Sequence, residues 1–598
     1  MKNSSQAARP PQGKFKLSDI KRVWFLIPTE KKPKAISLLL LMIVGMMLEM
    51  LGVTLVLPLI VILTNNELIE KYPIVVDLLD KIGNPSQLVL FMGVMLVLVG
   101  IYSIKNLYLA LLAWKQTKFV FDTQTDLAIS LFRRYLYHPY AFHLQRNSAE
   151  LINNLQVELN LFISYMLSPG MLLIAETLVV LGLVGLLLFF EPIGVITVFG
   201  VFLLVGGLFQ WLTKKRITAW GKLRQLHENQ RMKHAQQGLG AVKDVKLYGK
   251  EEFFLAQYAG HTEMSLKMNQ RNSFMHNATR LWLEVLAMSG LSLLFAAMMF
   301  QGKLISEILP VLGVFAAVSF RLMPSINRII GAIHQLNFGS AVTDFMQREF
   351  QDTISPLAEQ DKSSFVFDNK ISLRNIYFTY QLADKYALNM VNMTIKKGEM
   401  VGFIGESGSG KSTLIDVVLG LLTPQQGQVQ IDGLDIFDNL RAWQNLIGYV
   451  PQSIYLTDDT LRHNIAFGLN DEEIDESAVK RAILVAQLEN LVDELPDGVD
   501  TLLGERGVRI SGGQRQRIGI ARALYHDPEV LVLDEATSAL DHETESDVMQ
   551  AVINLQGKKT ILIIAHRLTT IEKCDYIYRL DKGKVVAEGK PEEILAIN

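Results

Sequence analysis

The run Gly405-Glu406-Ser407-Gly408-Ser409-Gly410-Lys411-Ser412 decides the fold of the second half of this chain. It matches the phosphate-binding pattern G-x-x-x-x-G-K-[ST], and it lies between an apolar strand-like run (400–404) and a helix pattern that begins at Ser412. Glycines let backbone N–H groups converge on phosphate oxygens, and the start of a helix adds partial positive charge. We therefore predict a nucleotide site, in which Lys411 contacts the β- and γ-phosphates and the Ser412 hydroxyl ligates Mg²⁺.

A second chemical motif stands far downstream, where the apolar residues 530–533 end in Asp534 and Glu535. A run this short and branched is typical of a buried parallel strand, and such sheets place ligand groups at the carboxyl ends of their strands. We expect Asp534 to hold Mg²⁺ and Glu535 to polarise the attacking water. The alternative, two carboxylates that merely cap a strand, fits poorly with the phosphate loop upstream.

Between these motifs lies Ile510-Ser511-Gly512-Gly513-Gln514, followed by a helix pattern. This segment resembles the L-S-G-G-Q signature of ATP-binding-cassette (ABC) proteins, with Ile510 in place of the usual leucine. Other elements of that family occur in the expected order. The resemblance implies that ATP and Mg²⁺ are the cofactors. It implies a nucleotide site made of the loop 405–412, Thr413 at the helix start, Tyr380 stacked on adenine, and Gln452, which couples Mg²⁺ to the transport domain. It also assigns to this site Ser511, Gly512, Gly513 and Gln514 of the signature, Asp541 in the loop that crosses to the partner, and His566, which senses the γ-phosphate.

The same resemblance predicts an assembly. One chain provides one phosphate loop and one signature, and in the family the signature closes on ATP held by the other subunit. Two chains must therefore pair. Because every motif is intact, a homodimer with two competent sites is the simplest assembly, and a heterodimer with a degenerate partner is the alternative.

The first half of the chain has the composition of a membrane domain. A bilayer core of about 30 Å needs roughly 20 apolar helical residues. Six segments meet that length, at 35–63, 88–114, 165–190, 192–212, 281–300 and 305–326. The connections after the second and fourth segments are long, basic and helix-patterned, whereas the others are short, so the rule that positive charge stays inside places both termini in the cytoplasm.

These observations give the predicted organisation. We expect a cytoplasmic N-terminal segment (1–34) with an interfacial helix, a six-span α-helical transmembrane domain (35–346), a linker (347–370) and an α/β P-loop nucleotide-binding domain (371–598), in the cytoplasmic (inner) membrane of the cell. Segments 137–146 and 241–250 resemble the coupling helices of ABC exporters, and Gly504-Glu505-Arg506-Gly507 resembles the segment that touches them.

Bulk composition excludes other classes. The formal net charge of −2 offers no excess of positive charge to neutralise nucleic-acid phosphates. Only 20% of residues are charged, and the long apolar runs exclude a soluble cassette ATPase. A gated channel or regulatory subunit that binds ATP without transport is disfavoured by the intact Glu535 and His566.

Three arginines bear on the cargo. Arg280, Arg321 and Arg328 lie toward the inner ends of the fifth and sixth segments, where guanidinium groups suit phosphate or pyrophosphate oxygens. The alternative is structural, with Arg280 paired to Glu284 and Arg328 extending to the interface.

A narrower resemblance concerns the same region. The run Phe320-Arg321-Leu322-Met323-Pro324-Ser325-Ile326-Asn327-Arg328-Ile329-Ile330 is similar to a span of bacterial lipid-linked oligosaccharide flippases of protein N-glycosylation, as are residues 48–58, which include Glu49. This resemblance implies a polyprenyl-pyrophosphate-linked glycan as cargo, moved from the inner to the outer leaflet, with the three arginines on its pyrophosphate. An exporter of amphipathic drugs or simple lipids is the alternative.

Overall fold

The computed structural model describes residues 17–54, 87–190, 192–302, 305–351, 366–381, 383–504, 507–508, 510–535, 549–564 and 568–596. The chain divides into two compact units. One comprises Met1–His138 and Arg146–Ile354, and the other comprises Pro139–Gln145 and Ser355–Asn598. The division at 354 falls inside the segment that we predict as a linker, most of which (352–365) lies outside the described residues.

The first unit is helical. Its helices are α1 (Leu17–Leu26), α2 (Lys32–Thr54), α3 (Gln87–Tyr137), α5 (Ser148–Asn153), α6 (Leu159–Phe162), α7 (Ser168–Phe190), α8 (Pro192–Gly240), α9 (Val242–Leu247), α10 (Glu251–Phe300) and α11 (Ile305–Gln351). The short helix α4 (Tyr140–Gln145), which follows α3 along the chain, belongs to the second unit. Two π-helical turns, Asn154–Glu158 and Ile163–Leu167, join α5, α6 and α7. Proline starts α8 and is the second residue of α2, where its missing N–H costs no hydrogen bond.

Six long helices therefore lie at the six predicted spans, and the end of the first predicted span (55–63) lies outside the described residues. Within the described part of the chain, three stretches are long and apolar enough to cross a membrane: Thr29–Gly52, Met95–Tyr137 and Ser148–Leu186. Many side chains of the other three long helices lie outside the described residues.

The core of the helical unit joins α1, α2 and α3 to the 159–167 region and to α11. Ion pairs reinforce it at the polar ends of the helices. The Arg22 guanidinium lies 2.6 Å from the Asp344 carboxylate, and the Lys31 ammonium lies 2.6 Å from that of Asp126. Arg146 binds the buried Glu349 at 2.8 Å. The amphipathic helix α1 is thus fixed to the last long helix.

The second unit is α/β. Its strands are β1 (Lys370–Phe378), β2 (Leu388–Lys396), β3 (Met400–Ile404), β4 (Gln426–Ile431), β5 (Leu434–Asp435), β6 (Ile447–Val450), β7 (Val530–Asp534), β8 (Thr560–Ile564), β9 (Tyr576–Asp581) and β10 (Lys584–Gly589). Its helices are α12 (Lys411–Val418), α13 (Leu440–Gln444), α14 (Leu461–Ile465), α15 (Glu476–Val485), α16 (Glu489–Glu494), α17 (Gly512–Leu524), α18 (Leu568–Ile571) and α19 (Pro591–Leu595).

The strands form two sheets. The larger has the order β10-β9-β3-β8-β7-β6, parallel from β9 to β6, and the smaller is the antiparallel sheet β2-β1-β4-β5. All five residues of β7 are buried, which explains its uninterrupted apolar run. The carboxyl ends of β3 and β7 lie at one edge, separated by β8, so the phosphate loop and Asp534 meet there.

Candidate functional site: a nucleotide site and charges in the helical unit

The phosphate loop has a backbone that only glycine accommodates at two positions. Gly405 and Gly410 have φ angles of +149° and +105°. A Cβ on Gly405 would collide with the Leu580 carbonyl oxygen, and one on Gly410 would lie 2.7 Å from that of Ala387. The backbone of β9 and of the residue before β2 therefore leaves no room for a side chain at these two loop positions.

Lys411 lies inside this loop. Its ammonium donates to the carbonyl oxygens of Gly405 and Glu406, at 2.8 and 2.9 Å. Burial lowers the pKa of Lys411, and the carboxylates of Glu535 and Asp534 act in the opposite direction. The cation is thus held at the centre of the loop and faces both acids of the β7 end.

The loop fits a phosphate-bearing ligand. The Ser409 hydroxyl is buried and has no hydrogen-bond partner within the described part of the chain. The Ser412 side chain is exposed at the start of α12, although the residues beside it are buried. A hydroxyl aimed outward, a central ammonium and a helix N-terminus form a cradle for anionic oxygens and their cation.

The carboxylates at the end of β7 face this cradle. Asp534 is buried and accepts a hydrogen bond from the Tyr449 hydroxyl. Glu535 has a left-handed backbone, with φ of +50°, and its carboxylate accepts from the Gln452 side-chain amide at 2.7 Å. Strained backbone at a non-glycine residue is characteristic of functional sites. Gln452, Asp534 and Glu535 thus come from two neighbouring strand ends to one place, and the donor set of Ser412, Gln452 and Asp534 is all oxygen, which suits Mg²⁺.

The sequence motifs do not include two further residues of this site, Asp416 and Tyr449. Burial and the neighbouring Asp534 raise the pKa of Asp416 to about 6. Burial also raises the pKa of Tyr449, with Asp534 adding to the effect. A signal for Asp416 exists, because it stands four residues after Ser412 and so on the same face of α12. Tyr449 is recognisable only from the pairing of β6 with β7.

Tyr380 is positioned by the phosphate-loop helix. Its hydroxyl shares a hydrogen bond of 3.0 Å with the buried Thr413 hydroxyl, and its ring contacts Phe378 edge-on. Tyr380 remains 37% exposed, so it is accessible to a ligand. The Thr413 hydroxyl thus connects Tyr380 to helix α12.

The signature segment forms the N-terminus of α17. The Ser511 hydroxyl accepts from the Gln514 backbone N–H at 3.1 Å, and the Gln514 side chain accepts from the Ser511 N–H at 2.8 Å. This reciprocal capping box fixes the start of a 13-residue helix, and Ile510 anchors it in the core. Ser511 and Gly512 remain exposed at the start of this helix.

Some predicted residues lie outside the described part of the chain. They are Asp541, His566, Glu505 and Arg506. The side chains of Arg280 and Arg321 also lie outside it, although the helices α10 and α11 that carry them are described.

The first predicted coupling segment forms helix α4 and packs with the α/β unit. Ala141 contacts the core around β1, β3 and α12. Burial raises the pKa of Tyr140, and Asp416 and Tyr380 add to the effect, so its hydroxyl lies near the nucleotide site. In the second segment, α9 buries Val245 in the helical unit and leaves Val242 and Leu247 exposed.

Arg328 is paired inside the helical unit. Its Nε lies 2.6 Å from Oε1 of Glu176 on α7, and its Nη2 donates to Oε2 at 3.2 Å. The Arg328 side chain nevertheless remains 42% exposed. One edge of the guanidinium is therefore held by an acid and the rest is open.

A second ion pair joins α2 to α3. The Lys105 ammonium donates to the Glu49 carboxylate at 3.4 Å and lies over the Tyr102 ring. Glu49 and Lys105 are 4% and 9% exposed, far less than Arg328. Glu49 is thus a buried acid with a cation as its partner.

Comparisons with known proteins agree with this architecture. The ABC transporter family matches residues 388–538, and the ABC transporter transmembrane region matches residues 73–322. An ATP-dependent lipid A-core flippase of Ralstonia nicotianae is 32% identical over 474 residues, which cover 79% of each chain. A protein of the same name from Cupriavidus metallidurans is 28% identical over 97% of this chain and 94% of its own.

A solved structure of a bacterial Atm1-family ABC exporter with ATP bound has the same fold, with a TM-score of 0.74 and 24% identity over 95% of this chain and 96% of its own. The predicted exporter fold, a membrane domain followed by a nucleotide-binding domain, is confirmed. The chain belongs to the ABC transporter family, as a multi-pass exporter half-transporter that couples ATP hydrolysis to transport.

Proposed function

We propose that a homodimer of this chain flips a polyprenyl-pyrophosphate-linked oligosaccharide from the inner to the outer leaflet of the cytoplasmic membrane. Arg328 carries the proposal. It is a guanidinium between long apolar helices, where ionisable residues are rare and indicate functional sites, and its exposed side is available to a pyrophosphate. Arg280 and Arg321 complete the proposed headgroup site. The assignment of this oligosaccharide to protein N-glycosylation rests on the sequence resemblance alone.

A second candidate cargo is lipid A-core, because the relatives above carry that name. Both cargoes are amphiphiles with a saccharide head and phosphate groups, so a guanidinium site suits either. The cargo of a drug or simple-lipid exporter lacks a phosphate-bearing saccharide headgroup. That alternative therefore gives the arginines no role.

The ATPase chemistry in this proposal rests on the chain's own residues. Ser412, Gln452 and Asp534 would hold Mg²⁺, which neutralises charge on the phosphate oxygens when it is bound. Lys411 binds the same oxygens from the loop side. Glu535, held by Gln452, orients the water, and we assign His566 to the γ-phosphate and Asp541 to the contact with the partner chain.

Helix α4 is the proposed route from this chemistry to transport. Tyr140 lies near Asp416 and Tyr380, so a change at the nucleotide can reach α4 directly. We expect a crosslink that fixes Tyr140 to the α/β unit to abolish coupling. Unchanged transport-stimulated ATPase activity in the crosslinked protein would contradict this role. Orientation follows from the basic connections, which place the nucleotide-binding domain in the cytoplasm.

The decisive experiment is ATP-dependent flipping of a fluorescent polyprenyl-pyrophosphate oligosaccharide in proteoliposomes. We expect flipping by the wild-type chain, loss in Glu535→Gln, and loss with retained ATPase activity in Arg321→Ala/Arg328→Ala. Arg348→Ala is the matched control, because this exposed arginine is on the same helix, close to its end. Flipping of a lipid A-core probe alone would favour the second cargo. ATPase activity stimulated only by drugs or simple lipids would overturn both.

A further inference from the structure

An apolar cavity of about 160 Å³ lies within the helical unit. Helices α1, α2, α3, α7 and α11 and the second π turn contribute to its wall, and every lining residue is apolar or glycine. Its floor consists of Met42, Phe119, Met166, Leu167 and Leu336, each at most 6% exposed. The cavity is thus a depression built into the core beneath the amphipathic helix α1.

The mouth of this cavity is apolar and open. Its rim includes Trp24, Leu39 and Ile174, which are 41%, 41% and 42% exposed. Leu39 and Ile174 belong to two of the stretches that are long and apolar enough to cross a membrane. A tryptophan at the end of such stretches marks the boundary between hydrocarbon and headgroups. The mouth therefore opens toward lipid at the level where headgroups begin.

Basic side chains lie on one side of this mouth. Residues 17–36 contain five basic side chains and two acidic ones. Arg22 and Lys31 are engaged by acids of the unit. The Lys32 ammonium lies 6.0 Å from the centre of the Trp24 ring, and the exposed Lys34 stands one helical turn before Leu38, which is part of the core. Lys32 and Lys34 are therefore placed to meet an anionic headgroup.

We propose that this cavity holds part of an acyl chain of a resident anionic phospholipid, whose phosphate lies near Lys32 and Lys34. Apolar cavities of about 150 Å³ in other proteins bind molecules the size of benzene, so the cavity accommodates roughly six carbons. Lysines near an anionic membrane surface attract anionic lipids. Neither Arg328 nor its partner Glu176 lines this cavity.

Charge also favours a phospholipid over the chain's own first residues as the occupant of this cavity. Segment 1–16 contains four basic residues and no acidic ones. The cationic rim repels such a segment and attracts a lipid phosphate.

Photocrosslinking tests the proposal on the full chain in proteoliposomes. The probe is phosphatidylglycerol with a diazirine near the end of one acyl chain, and crosslinked peptides are identified by mass spectrometry. We expect crosslinks at Met166 and Phe119. Gly170→Leu should lower them at least fivefold, because Gly170 lines the cavity and a side chain there meets no atom within 4 Å at its Cβ.

Gly185→Leu is the matched control. Gly185 is on the same helix, its Cβ position is equally open, and it does not line the cavity. We expect labelling of Met166 in this variant to equal that of the wild type. Equal labelling in Gly170→Leu and Gly185→Leu would overturn the proposal.

A second arm tests the headgroup. Wild-type labelling should be several-fold greater with the phosphatidylglycerol probe than with a phosphatidylcholine probe, and Lys32→Gln/Lys34→Gln should bring the ratio close to one. Lys233→Gln/Lys267→Gln, two exposed lysines of α8 and α10, should leave the ratio unchanged. A wild-type ratio of one would overturn the anionic headgroup.

The remaining outcomes identify other occupants. Labelling at Met166 should persist within twofold during ATP turnover, because a resident lipid is not transported. A fivefold fall under turnover in the wild type but not in Glu535→Gln would make the cavity part of the cargo route. Labelling that appears only after deletion of residues 1–16 would equally overturn a resident lipid.

Discussion

The nucleotide site of the α/β unit and the charged pairs of the helical unit are built in opposite ways. In the α/β unit, residues 405–412 are contiguous, and Lys411 reaches its loop carbonyls within six residues. In the helical unit, Arg328 binds Glu176 across 152 residues, and Lys105 binds Glu49 across 56. Chemistry held by a loop is visible as a motif, whereas chemistry held between helices has no local pattern.

The same comparison concerns what each polar group contacts. The nucleotide site keeps the buried Ser409 hydroxyl without a hydrogen-bond partner among the described residues, and the Ser412 side chain exposed. The charged groups of the two pairs in the helical unit face each other, because a charge between apolar helices needs a partner. The pair that is more exposed, Arg328 with Glu176, is for that reason the better candidate for a ligand site than the buried pair of Glu49 with Lys105.

The largest expected effect tests the contiguous site. Glu535→Gln removes the carboxylate that we propose orients the water, and we expect ATPase activity to fall at least roughly 100-fold while nucleotide binding is retained. Steady-state assays measure the ATPase activity, and equilibrium binding of a fluorescent nucleotide measures the nucleotide affinity. Glu529→Gln is the control, since Glu529 precedes the same strand at its other end and pairs with Lys397. A comparable fall in the control would show that the loss is not specific to the carboxylate at 535.

The next effect tests the buried pair. Glu49→Gln leaves the Lys105 ammonium buried without its counter-charge, and breaking such a pair typically costs about 3 kcal/mol or more. We expect the apparent Tm in detergent to fall by at least roughly 5 °C. Glu49→Gln/Lys105→Met should recover much of this loss.

Glu176→Gln provides the contrast within the helical unit. Because Arg328 is much more exposed, we expect a smaller loss of Tm and a larger change in the KM for the glycolipid. If the two single variants lost the same stability and neither altered the KM, the distinction between a buried pair and a ligand-facing pair would be wrong.

A smaller effect concerns pH. The pKa of Asp416, raised to about 6 from an ordinary 3.8, means that the folded protein keeps this proton when the unfolded chain has lost it. The stability contributed by Asp416 is therefore full below pH 3.8 and is lost as the pH rises to about 6. We expect Asp416→Asn to be more stable than the wild type at about pH 7.5 without nucleotide, and the difference to shrink at about pH 4.5. Thermal unfolding at both pH values measures this, and a difference that grows at the lower pH would contradict it.

The smallest expected effect concerns the aromatic platform. Tyr380→Phe removes the hydrogen bond to Thr413 but keeps the ring, so nucleotide affinity should fall by no more than about fivefold. Tyr380→Ala should lose more, because stacking is lost as well. Tyr386→Phe, at an exposed tyrosine whose ring contacts Tyr377, is the control. Equal affinities for the Phe and Ala variants would remove Tyr380 from the site.

Sequence patterns alone predicted the family and the fold correctly. The phosphate loop, the strand that ends in Asp534, and the capping residues Ser511 and Gln514 all lie where their local patterns predict. Each is a short-range feature, in which the residues that need each other are neighbours along the chain. The roles of Asp541, His566, Arg280 and Arg321 remain predictions.

The sequence by itself determined that this is a membrane transporter driven by ATP, because apolar length, charge at the loops and contiguous motifs are properties of the chain. Only the tertiary structure decided that Glu176 holds Arg328, that Lys105 neutralises Glu49, that Asp416 and Tyr449 face Asp534, and that an apolar cavity opens beneath Trp24. The physical reason is that these groups meet through helix packing and strand order. Such contacts depend on how distant segments are arranged. The spacing from Ser412 gives the helix face of Asp416, but no local pattern shows which distant group it meets.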